Sequence, residues 1–140
     1  MSEIDWGKGW AAALDYWELF VAGWRKLRDE RRMNVIILAH ETIKTFRDPM
    51  GASYDRYRPR LREDAAAMVV DHCDEVFFAT YDVRTKTEDA GFRRDVAKAI
   101  GGDRVILAQE QPAALAKNRL GLSSKLPLSM EWYREHLCAS

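Results

Sequence analysis

An apolar stripe at helical spacing runs through the first quarter of the chain. Apolar residues recur every three or four positions, while charged residues occupy the opposite face. The stripe consists of Trp10, Leu14, Trp17, Val21, Trp24 and Leu27. This pattern predicts a helix over residues 10–32. The three tryptophans of the stripe could also form a stacking platform for a ligand, but the regular spacing favours a helix face buried in the core.

Two continuous apolar runs follow the helix, and each is typical of a strand buried on both faces. The first occupies residues 35–39 within NVIILAH, and the second lies within EVFFATYDV at residues 75–83. Runs of this kind occur in parallel sheets that are covered by helices. A second helix is predicted between them, over residues 62–72. We therefore expect an α/β fold with a mostly parallel sheet and flanking helices.

The last third of the chain predicts further elements. Residues 87–100 favour a helix that is ended by Gly101 and Gly102. The segments DRVILAQ and AALAKNRL predict a C-terminal β-hairpin that turns near Gln111 and Pro112. A short helix is expected over residues 131–136. A length of 140 residues suits a single domain with one core.

The polar stretch at residues 42–63, TIKTFRDPMGASYDRYRPRLRE, predicts an unusually long loop, and such loops are often functional. Between Lys44 and Arg62 it carries six basic and two acidic residues. Arginine neutralises phosphates and tyrosine stacks on exposed bases, so this mixture suits single-stranded nucleic acid. The alternative is a solvated loop with salt bridges, and composition alone leaves both open. The candidate DNA-contact residues are Tyr54, Arg56, Tyr57 and Arg58.

His40 follows the first apolar run. Residues at the carboxyl ends of strands face the ligand crevice in open α/β sheets, so chemistry is expected near His40 and Glu41. The zinc signature H-E-x-x-H would need a second histidine where Lys44 stands. Neither His72 nor His136 has partners at ligand spacing. The sequence therefore predicts no metal site.

Lys117 and Arg119 lie two residues apart before a glycine. On an extended segment they would project to the same side. One interpretation is a charged edge strand that discourages aggregation. The other is a basic finger that supplies positive charge to a phosphoryl-transfer transition state across a subunit boundary.

Composition limits the possible partners. Lys+Arg and Asp+Glu balance at 22 each, so attraction to nucleic acid must come from local clusters. No apolar run approaches the roughly 20 residues that a spanning helix needs, so no membrane partner is expected. The N-terminus lacks a secretion pattern, and two cysteines do not make a disulfide framework. These features favour a cytoplasmic protein.

Three blocks occur in a characteristic order: MNVIILAHETIKTFRDPMGASYDRY, DEVFFATYD and RVILAQEQPAALAKNRLGL. Together with WGKGW near the N-terminus, they resemble the C-terminal half of the phage RecA-like nucleotide-binding proteins. These are P-loop ATPases of the AAA class that are associated with phage DNA recombination and single-strand annealing. The resemblance covers residues 6–122. It implies a partial RecA-like P-loop NTPase core in an oligomeric, phage-encoded protein of the bacterial cytoplasm.

The resemblance also implies roles for individual residues. His40 would end a sensor strand and respond to the γ-phosphate of ATP. The stretch over residues 42–62 would face single-stranded DNA. Lys117 and Arg119 would form the finger that reaches ATP held by a neighbouring subunit. ATP and Mg²⁺ would be the cofactors of the complete assembly.

One departure from the family pattern is decisive. The phosphate-binding loop G-x-x-x-x-G-K-[ST] is not found in the sequence, and Gly7-Lys8-Gly9 lacks its spacing. The Walker B strand, which ends in an aspartate, is not found either. We therefore expect a truncated reading frame or one half of a split protein, with no tight ATP binding and no hydrolysis by this chain alone. Its partner would be a second copy or a full-length relative. The alternative is a non-catalytic DNA- or partner-binding module, or a truncated product without independent activity.

Overall fold

The computed structural model describes residues 8–89 and 95–137. The chain divides into two compact units, Met1–Asp74 and Glu75–Ser140. The described residues form a mixed α/β structure with three helices and small antiparallel sheets. The further prediction, that residues 1–140 form one C-terminal portion of a RecA-like core, remains a prediction.

The first unit contains two helices and a hairpin between them. The elements are α1 (Lys8–Arg31), β1 (Glu41–Phe46), β2 (Tyr54–Pro59) and α2 (Glu63–His72). Both helices were predicted, and both are confirmed. The left-handed backbone of Arg32, with φ 53°, ends α1, and the N–H of Met33 turns back to donate to the carbonyl of Leu27 at 3.3 Å.

The core of the first unit is formed where α1 meets α2. Val21, Trp24 and Val69 are buried together, so the middle of the predicted stripe is the part that packs. Its two ends are exposed, since Trp10 is 57% accessible and Leu27 is 44% accessible. The ends of α1 and α2 are also joined by an ion pair between Arg28 and Asp74 at 3.1 Å.

Two predictions for the first unit are wrong. Residues 32–40 form neither helix nor strand, and within the run predicted as a buried strand Ile36 is 63% and Leu38 is 92% exposed. A strand needs a hydrogen-bonded neighbour, and the two strands of this unit pair only with each other. The stretch predicted as a loop is instead the β1–β2 hairpin, because ETIKTF is rich in β-branched and aromatic residues, which favour strands.

The second unit is built mainly from short strands. They are β3 (Glu75–Val76), β4 (Phe78–Tyr81), β5 (Arg84–Asp89), β6 (Asp95–Ile100), β7 (Arg104–Leu107), β8 (Lys117–Asn118) and β9 (Lys125–Pro127), followed by helix α3 (Met130–Leu137). A three-stranded sheet has the order β4-β7-β9, and the pairs β3-β8 and β5-β6 stand apart from it. Ile106, Ala108 and Leu126 form the core of this unit. Helix α3 and the strand at residues 104–107 were predicted, and both are confirmed.

Three predictions for the second unit need correction. Every strand pair in the described residues is antiparallel, so the mostly parallel sheet is not observed there. The helix predicted over residues 87–100 is replaced by the β5–β6 hairpin, since Thr85 and Thr87 alternate with charged residues; residues 90–94 lie outside the described chain. The predicted C-terminal hairpin does not form, because β7 pairs with β4 and β9. Alanines, which are poor strand formers, dominate residues 113–116 and the chain turns there.

Among the described helices, none has the length and apolar composition that crossing a bilayer requires.

Gly101 and Gly102 directly follow β6. Glycine is sterically required at only one of these two positions. A Cβ atom on Gly102 would stand 1.8 Å from the carbonyl oxygen of Asp82. The backbones approach this closely because the N–H of Asp82 donates to the carbonyl of Asp103 at 2.8 Å. A Cβ atom on Gly101 meets nothing within 4 Å.

This difference yields a matched pair of variants. We expect Gly102→Ala to lower the free energy of unfolding by about 1–3 kcal/mol, because the backbone near Asp82 must shift to admit the methyl group. Gly101→Ala should leave stability unchanged or raise it by about 0.4–1 kcal/mol, since alanine reduces the entropy of the unfolded chain. Urea denaturation of both variants measures the difference, and equal free energies would contradict the close approach.

Candidate functional site

Lys117 and Arg119 lie where a short strand passes into a loop. Lys117 belongs to β8, which pairs antiparallel with β3 so that Val76 stands opposite Lys117 and Glu75 opposite Asn118. Lys117 is half-buried, while Arg119 is the first residue of the loop and is exposed. The extended geometry expected for this pair therefore holds for Lys117 and ends before Arg119.

The side chain of Asn118 closes this loop. Its Oδ1 accepts a hydrogen bond from the N–H of Leu122 at 2.8 Å, and its Nδ2 donates to the carbonyl of the same residue at 2.6 Å. Gly121 takes a φ of 68°, a left-handed conformation that glycine adopts at low cost. Residues 118–122 thus form a tight loop with a defined shape.

Glu75 holds the same loop from the neighbouring strand. Its Oε1 accepts hydrogen bonds from the backbone N–H groups of Arg119 and Leu120, both at 2.7 Å. Its other oxygen, Oε2, is buried and has no hydrogen-bond partner in the described part of the chain. Glu75 lies 44 residues before Arg119, so only the strand register reveals that the two are neighbours.

An open cleft of about 480 Å³ lies beside the loop, and it is lined by Gln109, Glu110, Ala116, Lys117, Asn118 and Leu122 among others. The lining combines the amine of Lys117 and the amide of Gln109, which are hydrogen-bond donors, with the carboxylate of Glu110. Arg119 is not part of the lining. The structure therefore places one of the two predicted finger residues at the cleft.

In the first unit, one face of the β1–β2 hairpin combines aromatic rings with cations. The register pairs Phe46 with Tyr54 and Lys44 with Arg56, and directly paired side chains lie on the same face. The rings of Phe46 and Tyr54 are 5.3 Å apart. The guanidinium of Arg56 lies 5.7 Å from the ring centroid of Phe46, within cation–π range. We call this surface the aromatic-basic face.

Two further cations lie on the aromatic-basic face and share one carboxylate. Arg58 contacts Oε1 of Glu63 at 3.2 Å, and Lys44 approaches the same oxygen at 3.8 Å. The side chain of Glu63 is 71% exposed, so these ion pairs contribute little to stability. Together with Arg56, these two residues make the aromatic-basic face rich in cations.

The hairpin separates the four residues predicted to contact DNA. Tyr54, Arg56 and Arg58 occupy alternate positions of β2 and share the aromatic-basic face. Tyr57 pairs with Ile43 on the opposite face. Phe46 and Lys44 were not among the candidates predicted from the sequence. Their positions beside Tyr54 and Arg56 follow only once the hairpin register is known.

His40 lies just before β1 and is exposed. Its carbonyl accepts a hydrogen bond from the N–H of Arg60 at 2.7 Å, which extends the hairpin ladder by one step. Because the run over residues 35–39 is not a strand in the structure, His40 does not end one there. Its role as a nucleotide sensor remains a prediction.

The described residues contain no group of three or more histidine, cysteine, aspartate or glutamate side chains arranged to hold a metal ion. The clear pKa shifts in the described residues are at Arg28 and Asp29. The hydrogen bond from Arg28 holds the pKa of the Asp29 carboxyl below its ordinary value. This exposed pair belongs to the end of α1, and neither residue contributes to the hairpin face or the loop.

Comparison with known families places the chain in a class. Residues 2–120 match the sequence profile of the AAA domain family. Since the match covers most of the chain, the protein belongs to this family of P-loop ATPases. The matched range includes the hairpin and the loop with Lys117 and Arg119. No curated protein and no solved structure matches the chain.

The loop geometry generates a stability test. Asn118→Ala removes both partners of the Leu122 backbone groups, which are partly buried. We expect a loss of about 1–3 kcal/mol in the free energy of unfolding, the usual cost of unsatisfied polar groups. Ser123→Ala changes an exposed residue directly after the loop, and its free energy of unfolding should stay within about 0.5 kcal/mol of the wild-type value. Similar values for both variants in urea denaturation would show that Asn118 does not hold the loop.

Proposed function

We propose that this chain is part of an ATP-hydrolysing assembly that acts on single-stranded DNA in phage recombination or strand annealing, and that the aromatic-basic face is its DNA contact. The observation that carries the proposal is the grouping of Phe46, Tyr54 and Arg56 on one face of the hairpin, where the Tyr54 ring and the Arg56 guanidinium each lie within 6 Å of the Phe46 ring. Phe46 is exposed on this face, and Tyr54 and Arg56 are half-buried. Membership of the AAA domain family supports the link to ATP.

The aromatic-basic face has the two kinds of group that single strands require. Aromatic rings stack on unpaired bases whatever their sequence, and cations neutralise the phosphates between them. Phe46 is 41% exposed, so its side chain is accessible to a base without unfolding of the hairpin. Lys44 and Arg58 can exchange their shared carboxylate, Glu63, for phosphate, because exposed ion pairs are weak.

The second part of the proposal concerns ATP. Lys117 and Arg119 would supply positive charge to a triphosphate held by another polypeptide, either a second copy or a full-length relative. His40 would respond to the state of that nucleotide. The 140 residues contain no G-x-x-x-x-G-K-[ST] segment, so ATP and Mg²⁺ are assigned to the complete assembly. When bound there, Mg²⁺ would polarise the γ-phosphate for in-line attack by water. The part of this chain is to bring cations to the developing charge.

A non-catalytic DNA- or partner-binding module is the alternative. It is favoured by the same hairpin, which needs no nucleotide to present its cations and rings, and by the lack of a phosphate-binding loop in these residues. The two functions differ in one property. The module would bind DNA without changing the ATPase rate of any relative.

The hairpin proposal predicts which tyrosine matters. Tyr54→Ala should weaken binding of a fluorescent oligo(dT) by about 5- to 150-fold, the range of one lost base-stacking contact at about 1–3 kcal/mol. Arg56→Ala should weaken binding and reduce the slope of log K against log salt by about 0.7. Fluorescence anisotropy at several salt concentrations measures both effects.

Tyr57→Ala is the matched control for this experiment, because Tyr57 lies on the opposite face of the same strand. It should change the affinity by less than about twofold, a difference within the usual effect of surface substitutions. If Tyr57→Ala weakened binding as much as Tyr54→Ala, the aromatic-basic face would not be the DNA contact. If no variant changed binding, the hairpin would have no role in it.

The finger proposal is tested with a full-length family member that carries a phosphate-binding loop. Arg119→Ala in the mixed assembly should lower ATP hydrolysis by about 10³- to 10⁵-fold, as loss of an arginine finger does elsewhere. Nucleotide binding should stay nearly intact, since Arg119 acts on the transition state. Arg134→Ala removes the same charge from exposed helix α3 and should leave the rate unchanged. Equal loss of binding and hydrolysis with Arg119→Ala would overturn the assignment.

A further inference from the structure

The contact between Glu75 and the loop after β8 has the geometry of an occupied anion site. Two successive backbone N–H groups, those of Arg119 and Leu120, converge on one carboxylate oxygen at 2.7 Å each. Successive amides that point into one concavity form a nest, a recurrent binding site for phosphates and other anions. In this chain the anion is supplied internally by Glu75.

Two basic residues lie beside this nest, and one carboxylate, that of Glu110, lines the adjoining cleft. Lys117 immediately precedes the loop and lines the adjoining cleft, and Arg119 contributes both one of the amides and a guanidinium. The reciprocal bonds between Asn118 and Leu122 fix the loop independently of Glu75. These bonds therefore keep the two amides aligned when the Glu75 carboxylate moves away.

The carboxylate of Glu75 is only half satisfied in its present position. Oε1 accepts two hydrogen bonds, whereas Oε2 is buried without a partner among the described residues. A buried acceptor without a donor is costly, because its hydration has been lost without replacement. Release of Glu75 would return this oxygen to water and so offset part of the cost of opening the contact.

We propose that the Arg119 and Leu120 amides bind a phosphate oxygen of a nucleoside triphosphate, and that Glu75 closes this site until the phosphate displaces it. The inference extends the proposed finger, because it assigns backbone donors to the same loop. It also makes Glu75 an internal competitor. A competitor that occupies the site in most molecules lowers the apparent affinity for phosphate by the fraction of molecules that remain open.

The test is a titration of the ¹⁵N-labelled chain with inorganic tripolyphosphate, followed through the amide signals of Arg119 and Leu120. In wild type both signals should move only at high ligand concentration. In Glu75→Ala they should move together and saturate with a Kd about tenfold lower, which corresponds to closure in about nine of ten wild-type molecules. Glu75→Gln should be intermediate, since its amide oxygen can still accept but carries no charge.

Glu131→Gln is the matched control, because it removes one negative charge from an exposed position in the same unit. It should reproduce the wild-type titration within about twofold, the size of a long-range charge effect screened by salt. If Glu131→Gln tightened binding as much as Glu75→Ala, the effect would come from the overall charge of the chain. The proposal that Glu75 closes the site, which we call the latch, would then be wrong. Movement of other amides without those of Arg119 and Leu120 would also overturn the proposal.

A second arm separates the possible sources of phosphate. Oligo(dT) in place of tripolyphosphate should leave the Arg119 and Leu120 signals of Glu75→Ala unchanged; if they shift equally, the site is for nucleic acid and the triphosphate assignment fails. Should Glu75→Ala not fold, Glu75→Gln and wild type decide through the order of their Kd values. These measurements need neither DNA binding by the hairpin nor a neighbouring ATPase. Failure of either proposed activity would thus be visible separately from failure of the latch.

Discussion

The antiparallel register between β3 and β8 sets the geometry of the second candidate site. Two residue pairs, Glu75 with Asn118 and Val76 with Lys117, bring segments more than 40 residues apart into contact. This short ladder places the Glu75 carboxylate over the Arg119 and Leu120 amides and leaves Lys117 at the edge of the cleft. A slip of one residue would turn Lys117 to the other face and separate Glu75 from both amides. The function proposed for this loop therefore depends on main-chain pairing as much as on the two cations.

A comparable constraint acts in the hairpin of the first unit. Its six residue pairs sort a basic, tyrosine-containing segment into two faces with different chemistry. The rings of Phe46 and Tyr54 and two guanidinium groups lie on one face. On the other face Ile43 pairs with Tyr57, and Thr45 donates a hydrogen bond to Asp55. In an irregular loop the same residues would have no fixed sides, and stacking would require ordering the loop on binding. The hairpin has already fixed the backbone, so the proposed binding of single-stranded DNA would cost less conformational entropy.

The sequence predicted the helices better than the strands, for a physical reason. Helical periodicity is local, so the stripe from Trp17 to Trp24 was sufficient to locate α1, and short apolar or amphipathic segments located α2 and α3. A strand is defined by the segment with which it pairs. The sequence does not show which segment would pair with residues 35–39 or with residues 113–116. The candidate site shows the same division. Lys117, Arg119 and the hairpin cations were visible as residue types, whereas Glu75 and Phe46 became candidates only through register.

The side chain of Arg119 and its backbone amide are two separable sources of positive potential at one residue. A guanidinium can move several ångströms and suits charge that develops late in a reaction. An amide held by β8 and by the Asn118–Leu122 bonds cannot move far, and it suits a phosphate whose position is already fixed. Replacing the side chain leaves the amide in place, and replacing Glu75 leaves the side chain in place. In the proposed mechanism the loop would hold one phosphate through its backbone while the Arg119 side chain responds to the transition state, and Glu75 would block the backbone site until an anion of higher charge displaces it.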